Sequence, residues 1–97
     1  MEGTSVSPGG TWQVAEGVLV HEVDGRAMLL HPASTSALSL NESASSIWAA
    51  CASGAGTVEE VVQALHEDLG VEPDLIRPDV ADAVARLLDE GFLVPAP

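Results

Sequence analysis

The stretch VLVHEVDGRAMLLHPASTSALSLNESASSIWAACA, from Val18 to Ala52, decides the fold, because the apolar period changes within it. Val18 to Val23 and Arg26 to His31 are β-compatible runs separated by Asp24-Gly25, the pair that supplies positive φ for a type I′ turn. This predicts a hairpin, closed by Pro32. After the small and polar residues Ala33 to Ala37, Leu38-Ser39-Leu40 alternates apolar, polar, apolar. The alternation predicts a third, brief strand with Leu38 and Leu40 inward and Ser39 outward, and its brevity and polar outer face suit a sheet edge. At Asn41 the period becomes helical. Asn41 stands where an N-cap belongs, Glu42 lies in the first turn, and Ala44, Ile47, Trp48 and Cys51 recur at helical spacing, which predicts a helix over roughly 42 to 52.

Working outward toward the C-terminus, Ser53-Gly54-Ala55-Gly56 breaks this helix and Thr57-Val58-Glu59-Glu60 reads as a capping box. In such a box the Thr hydroxyl accepts from the Glu60 amide while the Glu60 carboxylate reaches back. Val58, Val61, Val62, Leu65 and Leu69 form the expected buried stripe of a second helix, and Gly70 stands at its left-handed terminus. Val71-Glu72-Pro73 reads as an extended link. A third helix is expected between 75 and 90, with Val80, Val84, Leu87 and Leu88 inward, Asp82, Arg86 and Asp89 outward, and Gly91 as its stop. Pro78 fits only in or just before the first turn of that helix. Phe92-Leu93-Val94 is expected to pack back on the core before the chain reaches Pro95-Ala96-Pro97. Toward the N-terminus, MEGTSVSPGGT (residues 1–11) reads as a flexible tail, leaving one domain over residues 12–97. The order is three strands and then three helices, an α+β pattern whose last two helices are joined in helix-turn-helix fashion.

At 97 residues and 46% hydrophobic content the chain supports a single modest core, filled by Val, Leu, Ile and Ala because it has only one Phe, two Trp and no Tyr. Fifteen acidic residues face three basic ones, Arg26, Arg77 and Arg86, for a formal charge of −12. Such a field repels polyanions and anionic membrane surfaces, which argues against nucleic-acid and membrane partners and favours neutral or basic ones. Met1-Glu2-Gly3-Thr4 lacks the basic and apolar regions of a signal peptide, and no apolar run approaches the ~20 residues of a bilayer span, so a cytoplasmic location is expected.

Few residues carry a chemical signature. Nothing in the spacing of His21, His31 and His66 gathers them, and they read as ordinary surface or rim histidines rather than metal ligands. Cys51, the only cysteine, follows Ala49-Ala50 on an apolar helix with no neighbouring His or Lys, so it reads as a small buried hydrophobe. Neither Gly9-Gly10 nor the Gly54 to Gly56 segment matches a phosphate-binding loop, no calcium loop occurs, and no nucleophile elbow frames the serines between 34 and 46. The expectation is therefore of no enzyme activity, no metal and no cofactor. What remains is shape: a short edge strand offers unpaired backbone groups to which an extended peptide can add itself.

From Leu29 to Leu93 the chain resembles the PqqD-like family of peptide-recognition elements in ribosomal peptide biosynthesis. The resemblance is carried by Leu40-Asn41-Glu42, Ile47-Trp48, Thr57-Val58-Glu59-Glu60-Val61-Val62, Gly70-Val71, Asp79-Val80 and Leu87-Leu88 through Gly91-Phe92-Leu93, in that order and spacing. One departure is Ala52-Ser53-Gly54, where the family often carries Asp-Gly. The resemblance implies a winged helix-turn-helix whose sheet accepts the leader of a precursor peptide as a further antiparallel strand, in a groove between the third strand and the third helix. It implies backbone pairing by Ala37, Leu38, Ser39 and Leu40, and specificity set by Asp79, Ala83, Arg86 and Leu87. Arg86 is expected to pair a leader carboxylate and the surrounding acids to attract basic leader residues. A Leu38→Pro change is expected to remove a strand donor and obstruct pairing. The implied partners are that leader and a separate maturation enzyme, whether a radical enzyme, a cyclase or a protease, with a homodimer through the sheet edge as a further option. The alternatives are a winged-helix regulatory or scaffold protein, for which Asp79, Asp82, Asp89 and Glu90 make a poor DNA-reading surface, and a phosphopantetheine carrier, for which Asn-Glu-Ser-Ala-Ser at 41–45 is the wrong context.

Overall fold

The structure, a computed structural model, describes residues 11–31 and 37–96. Its elements are β1 (Trp12–Val14), β2 (Leu19–Val23), β3 (Arg26–Leu30), β4 (Ala37–Ser39), α1 (Glu42–Ala52), α2 (Val58–Leu69), α3 (Pro73–Asp89) and β5 (Leu93–Pro95). Two successive residues of positive φ, Asp24 at 55° and Gly25 at 78°, make the type I′ reversal that the Asp-Gly pair predicts. β2 and β3 consequently pair in antiparallel register from Val23 opposite Arg26 to Leu19 opposite Leu30. β4 then joins the far side of β3, Leu38 opposite Leu29, in the sheet order β2-β3-β4. Leu38 and Leu40 are buried and Ser39 is exposed, as the alternation predicts.

Local chemistry sets the helix ends. The Asn41 side chain accepts from the Ala44 amide at 2.8 Å and starts α1. Thr57 Oγ1 accepts from the Glu60 amide at 3.1 Å and starts α2. The return half of the capping box differs from expectation: Glu60 Oε1 accepts from the Gly56 amide, at 2.6 Å, one residue upstream of the cap. Gly70 ends α2 at φ 69°, a left-handed terminus with its amide donating to the His66 carbonyl at 2.9 Å.

Three expectations need correction. Leu69 does not belong to the buried stripe of α2 but is 60% exposed, because every residue of that last turn, from His66 on, lies beyond the packed face. α3 begins at Pro73, earlier than expected, with Pro78 inside it. Pro73 at the first helical position gives up an amide that has no helical partner in any case, and its fixed φ is already helical. The amide missing at Pro78 would have bonded the Asp74 carbonyl; both residues are exposed, so water can satisfy that carbonyl. Finally, Phe92-Leu93-Val94 packs back on the core as expected, but as part of an unforeseen two-stranded ribbon in which β5 pairs antiparallel with β1, Trp12 opposite Pro95. Of the expected tail, all but Thr11 lies outside the described residues, as do Pro32 and the connection through 33–36; Thr11 accepts from the Ala96 amide at 3.1 Å.

The core lies between the three-stranded sheet, the ribbon and the three helices. Leu29, Val61, Val62, Val80, Val84, Leu87 and Leu93 are its most deeply buried side chains, with Trp12 and Trp48 packed around them. Arg77 ties α3 to the first turn of α2, with its Nε 2.6 Å and an Nη 3.0 Å from the two carboxylate oxygens of Glu59 and its other Nη 2.8 Å from Asp74. No helix among the described residues is long and apolar enough to cross a membrane.

Candidate functional site

Backbone direction along β4 determines what its outer edge offers. The Leu40 amide donates to the Ala27 carbonyl at 2.8 Å, so Leu40 faces β3. Backbone polar groups alternate in direction along a strand, so Leu38 also faces β3, where it sits opposite Leu29. Ala37 and Ser39 therefore turn their N–H and C=O groups away from β3. Because β4 ends the sheet, this edge has no strand partner among the described residues. The expected pairing of Leu38 and Leu40 with a ligand is thus corrected: both amides serve the β3–β4 side, and a Leu38→Pro change strikes the fold itself. The outward donor is Ser39.

One internal detail frees the end of that ladder. Ala27 does not return a bond to Leu40; its amide donates to Ser45 Oγ at 2.8 Å, and the Ser45 hydroxyl lies 3.4 Å from the Leu40 carbonyl. A side chain of α1 thereby closes the sheet where β4 turns into the helix.

Beside the open edge runs a groove of about 450 Å³ between β4, α1 and α3. Leu38, Leu40, Ala44, Ile47, Ala83 and Leu87 make its apolar walls. Asp79, Asp82 and Arg86 project from α3 along it and are exposed. The groove brings together seven of the eight residues singled out from the sequence; Ala37 borders the edge without lining the groove. Sequence reasoning missed the share of α1, reading Ala44 and Ile47 as core, and Asp82, reading it as solvated surface; the apolar stripe of α1 continuing past Asn41 was the available signal.

Position along the groove is fixed by two contacts at its ends. Asp79 shares a depression with Gly25, Glu42 and Ser43, at the hairpin-turn end where β4 passes into α1. At the other end Phe92, whose amide donates to the Leu87 carbonyl at 3.0 Å, sets its ring edge-on to His31, centroids 6.1 Å apart, just beyond the Leu30–Ala37 pair. α3 therefore runs antiparallel to β4, with Asp79 beside Leu40 and Arg86 toward Ala37. Among the described residues, Arg86 forms no ion pair, not even with Asp82 one helical turn away, whereas Arg77 is held by Glu59 and Asp74.

The other chemically notable residues do not line this groove. Cys51 is buried, and burial pushes its thiol up to about 11. His21 is exposed on β2, His31 meets Phe92 edge-on, and His66 Nδ1 lies 2.9 Å from the Val71 carbonyl in the turn between α2 and α3. No group of three metal-ligating side chains occurs among the described residues.

A hairpin wing, a helix-turn-helix and an open strand edge facing the last helix define a winged helix-turn-helix domain with a peptide-sized groove. The family described as Coenzyme PQQ synthesis protein D (PqqD) matches residues 26–93, and the chain belongs to that family. Among curated proteins, none matches the chain significantly in sequence. Three solved structures share the fold. TbiB1 in complex with the TbiA(beta) leader peptide superposes with a TM-score of 0.75 at 22% identity, over 88% of this chain and 98% of that one. A lasso peptide synthetase B1 complexed with the leader peptide gives 0.70 at 25% identity, over 87% and 98%. The PqqD truncation of Methylobacterium extorquens PqqCD, described as a functional and stand-alone recognition element for ribosomally synthesised and post-translationally modified peptides, gives 0.68 at 22% identity, over 97% and 99%.

Proposed function

We propose that this protein is a non-catalytic recognition element that binds the leader segment of a ribosomally synthesised precursor peptide and presents it to a separate modifying enzyme. The observation that carries this reading is the outer edge of β4, where Ala37 and Ser39 direct backbone groups that have no strand partner among the described residues beside the groove of α3. A peptide added there gains main-chain bonds from the edge and drops alternate side chains into the groove, which is strand addition as extended peptides use it elsewhere. Family membership and two structural relatives that hold leader peptides support the same reading. On this reading Ser39 and Ala37 pair the leader, Leu38, Leu40, Ala83 and Leu87 contact its side chains, and Asp79 and Arg86 select among leaders. The groove walls carry carboxylates, a guanidinium, small hydroxyls and hydrocarbon but no His or Cys, which favours holding a peptide over reacting with it. Any cofactor chemistry then belongs to the partner enzyme, and a cytoplasmic site of action follows from that of precursor synthesis.

The test is a fluorescence-anisotropy titration of the purified chain against labelled leader segments of precursor peptides encoded beside its gene. Saturable binding at micromolar concentration or tighter is expected, lost in Ser39→Pro, which removes the outward donor while leaving the β3–β4 bonds of Leu38 and Leu40 in place. Absence of binding to every such leader by the folded protein overturns the reading.

A further inference from the structure

Three charged side chains on α3 line the groove in a fixed order, and the edge strand gives that order a direction. Asp79 stands at the end where β4 leads into α1, Asp82 follows one turn further along, and Arg86 stands toward Ala37. A strand added antiparallel to β4 starts beside Leu40 and finishes beside Ala37, so its N-terminal half faces the two carboxylates and its C-terminal half faces the guanidinium. The spacings agree as well. Asp82 and Arg86 are separated by four helical residues, about 6 Å of rise, and side chains on one face of a strand recur every two residues, about 6.8 Å. A cation set against Asp82 thus brings a carboxylate two residues later to Arg86, with Asp79 one turn further back to favour the cation.

We propose that the groove reads the order of charge along its ligand: a Lys or Arg toward the N-terminal end, an Asp or Glu two residues further on, and apolar residues on the same face around them. The inference rests on the strand-addition reading above and deepens it from a site to a ligand chemistry. The absence of an Asp82–Arg86 ion pair among the described residues supports it, because both groups keep their charge available to a third party. Net charge cannot mimic the effect. A field of −12 attracts any basic peptide regardless of sequence order, whereas the groove discriminates between two peptides of the same composition.

The experiment uses the full chain and two fluorescein-labelled synthetic decapeptides of identical composition in one strand-forming background, one carrying Lys-x-Glu at its centre and the other Glu-x-Lys. The Lys-x-Glu peptide is expected to bind roughly tenfold more tightly at low ionic strength, the scale of two partly exposed charge pairs made rather than opposed. Arg86→Glu should abolish the preference, and the double change Asp82→Lys with Arg86→Glu should reverse it; both alter exposed positions, and unchanged thermal melts verify the fold. Equal affinities, or a preference for Glu-x-Lys, overturn the proposal while leaving strand addition intact, provided that binding of both peptides is lost in Ser39→Pro and on N-methylation of the peptide amides that pair with β4. Failure of both peptides to bind, or binding indifferent to those two blocks, overturns strand addition and the charge code together.

Discussion

Ser45 is 8% exposed and is the one polar side chain among the buried described residues, and its hydroxyl stands where a strand bond is missing. Replacing it with Ala leaves the Ala27 amide buried with no acceptor, a loss of about 1–3 kcal/mol. Urea denaturation should show that drop as a shift in midpoint with unchanged slope, and amide exchange at Ala27 should accelerate. Nothing in the sequence announced this role, since Ser45 is one of several serines on the first helix and its partner lies 18 residues upstream. Cys51 is the opposite case. Its apolar neighbours already marked it as a small hydrophobe, and burial raises its thiol to about 11 accordingly. A thiol-reactive disulfide reagent at neutral pH should label it only at the rate of unfolding, and urea should unmask it; rapid labelling of the native protein would show that the core around Trp48 opens locally.

At the level of elements, what the sequence made legible was what depends on near neighbours. The hairpin needed only Asp24-Gly25, and α1 needed only Asn41 and the apolar spacing behind it. β1 needed β5, some 80 residues away, and a three-residue strand following a run of Gly, Ser and Pro carries no periodicity of its own. Its importance lies in Trp12, which is 4% exposed, packs in the core and donates its indole N–H to the Ala55 carbonyl at 3.1 Å. Trp12→Ala should cost about 3–5 kcal/mol, a large share of the stability of so small a domain, and should release β5 along with β1. A near-wild-type melting temperature for that variant would mean that the ribbon is an appendage and the domain begins at β2. The candidate site shows the same division. Its residue list came with the family resemblance, but which backbone groups of β4 face outward depends on the bond between Leu40 and Ala27, across the sheet, and so the assignment of Leu38 and Leu40 to ligand pairing missed.

Across the whole molecule, charge does two separate things, and acid separates them. Fifteen carboxylates against three guanidinium groups repel one another, so protonation on acidification relieves the compact state. Against that general trend stands the Arg77 clamp. The Arg77 guanidinium hydrogen-bonded to Glu59 holds that carboxyl below its ordinary 4.5. A carboxyl whose value is lower in the folded chain than in the unfolded one stabilises the fold above the unfolded value, and that contribution disappears as pH falls through the folded value. Both partners are well exposed, so the effect is modest and shared with solvent. Comparing two proteins that differ only at Arg77 cancels most of the common repulsion. Arg77→Ala should therefore be less stable than the parent near pH 7, and the gap between their urea midpoints should narrow as pH falls below the ordinary carboxyl range and Glu59 takes up its proton in the parent as well. Added salt at neutral pH should narrow the gap in the same direction, by screening the pair. A gap that stays constant with pH would locate the contribution of Arg77 in the packing of its aliphatic stem between α2 and α3 rather than in its charge.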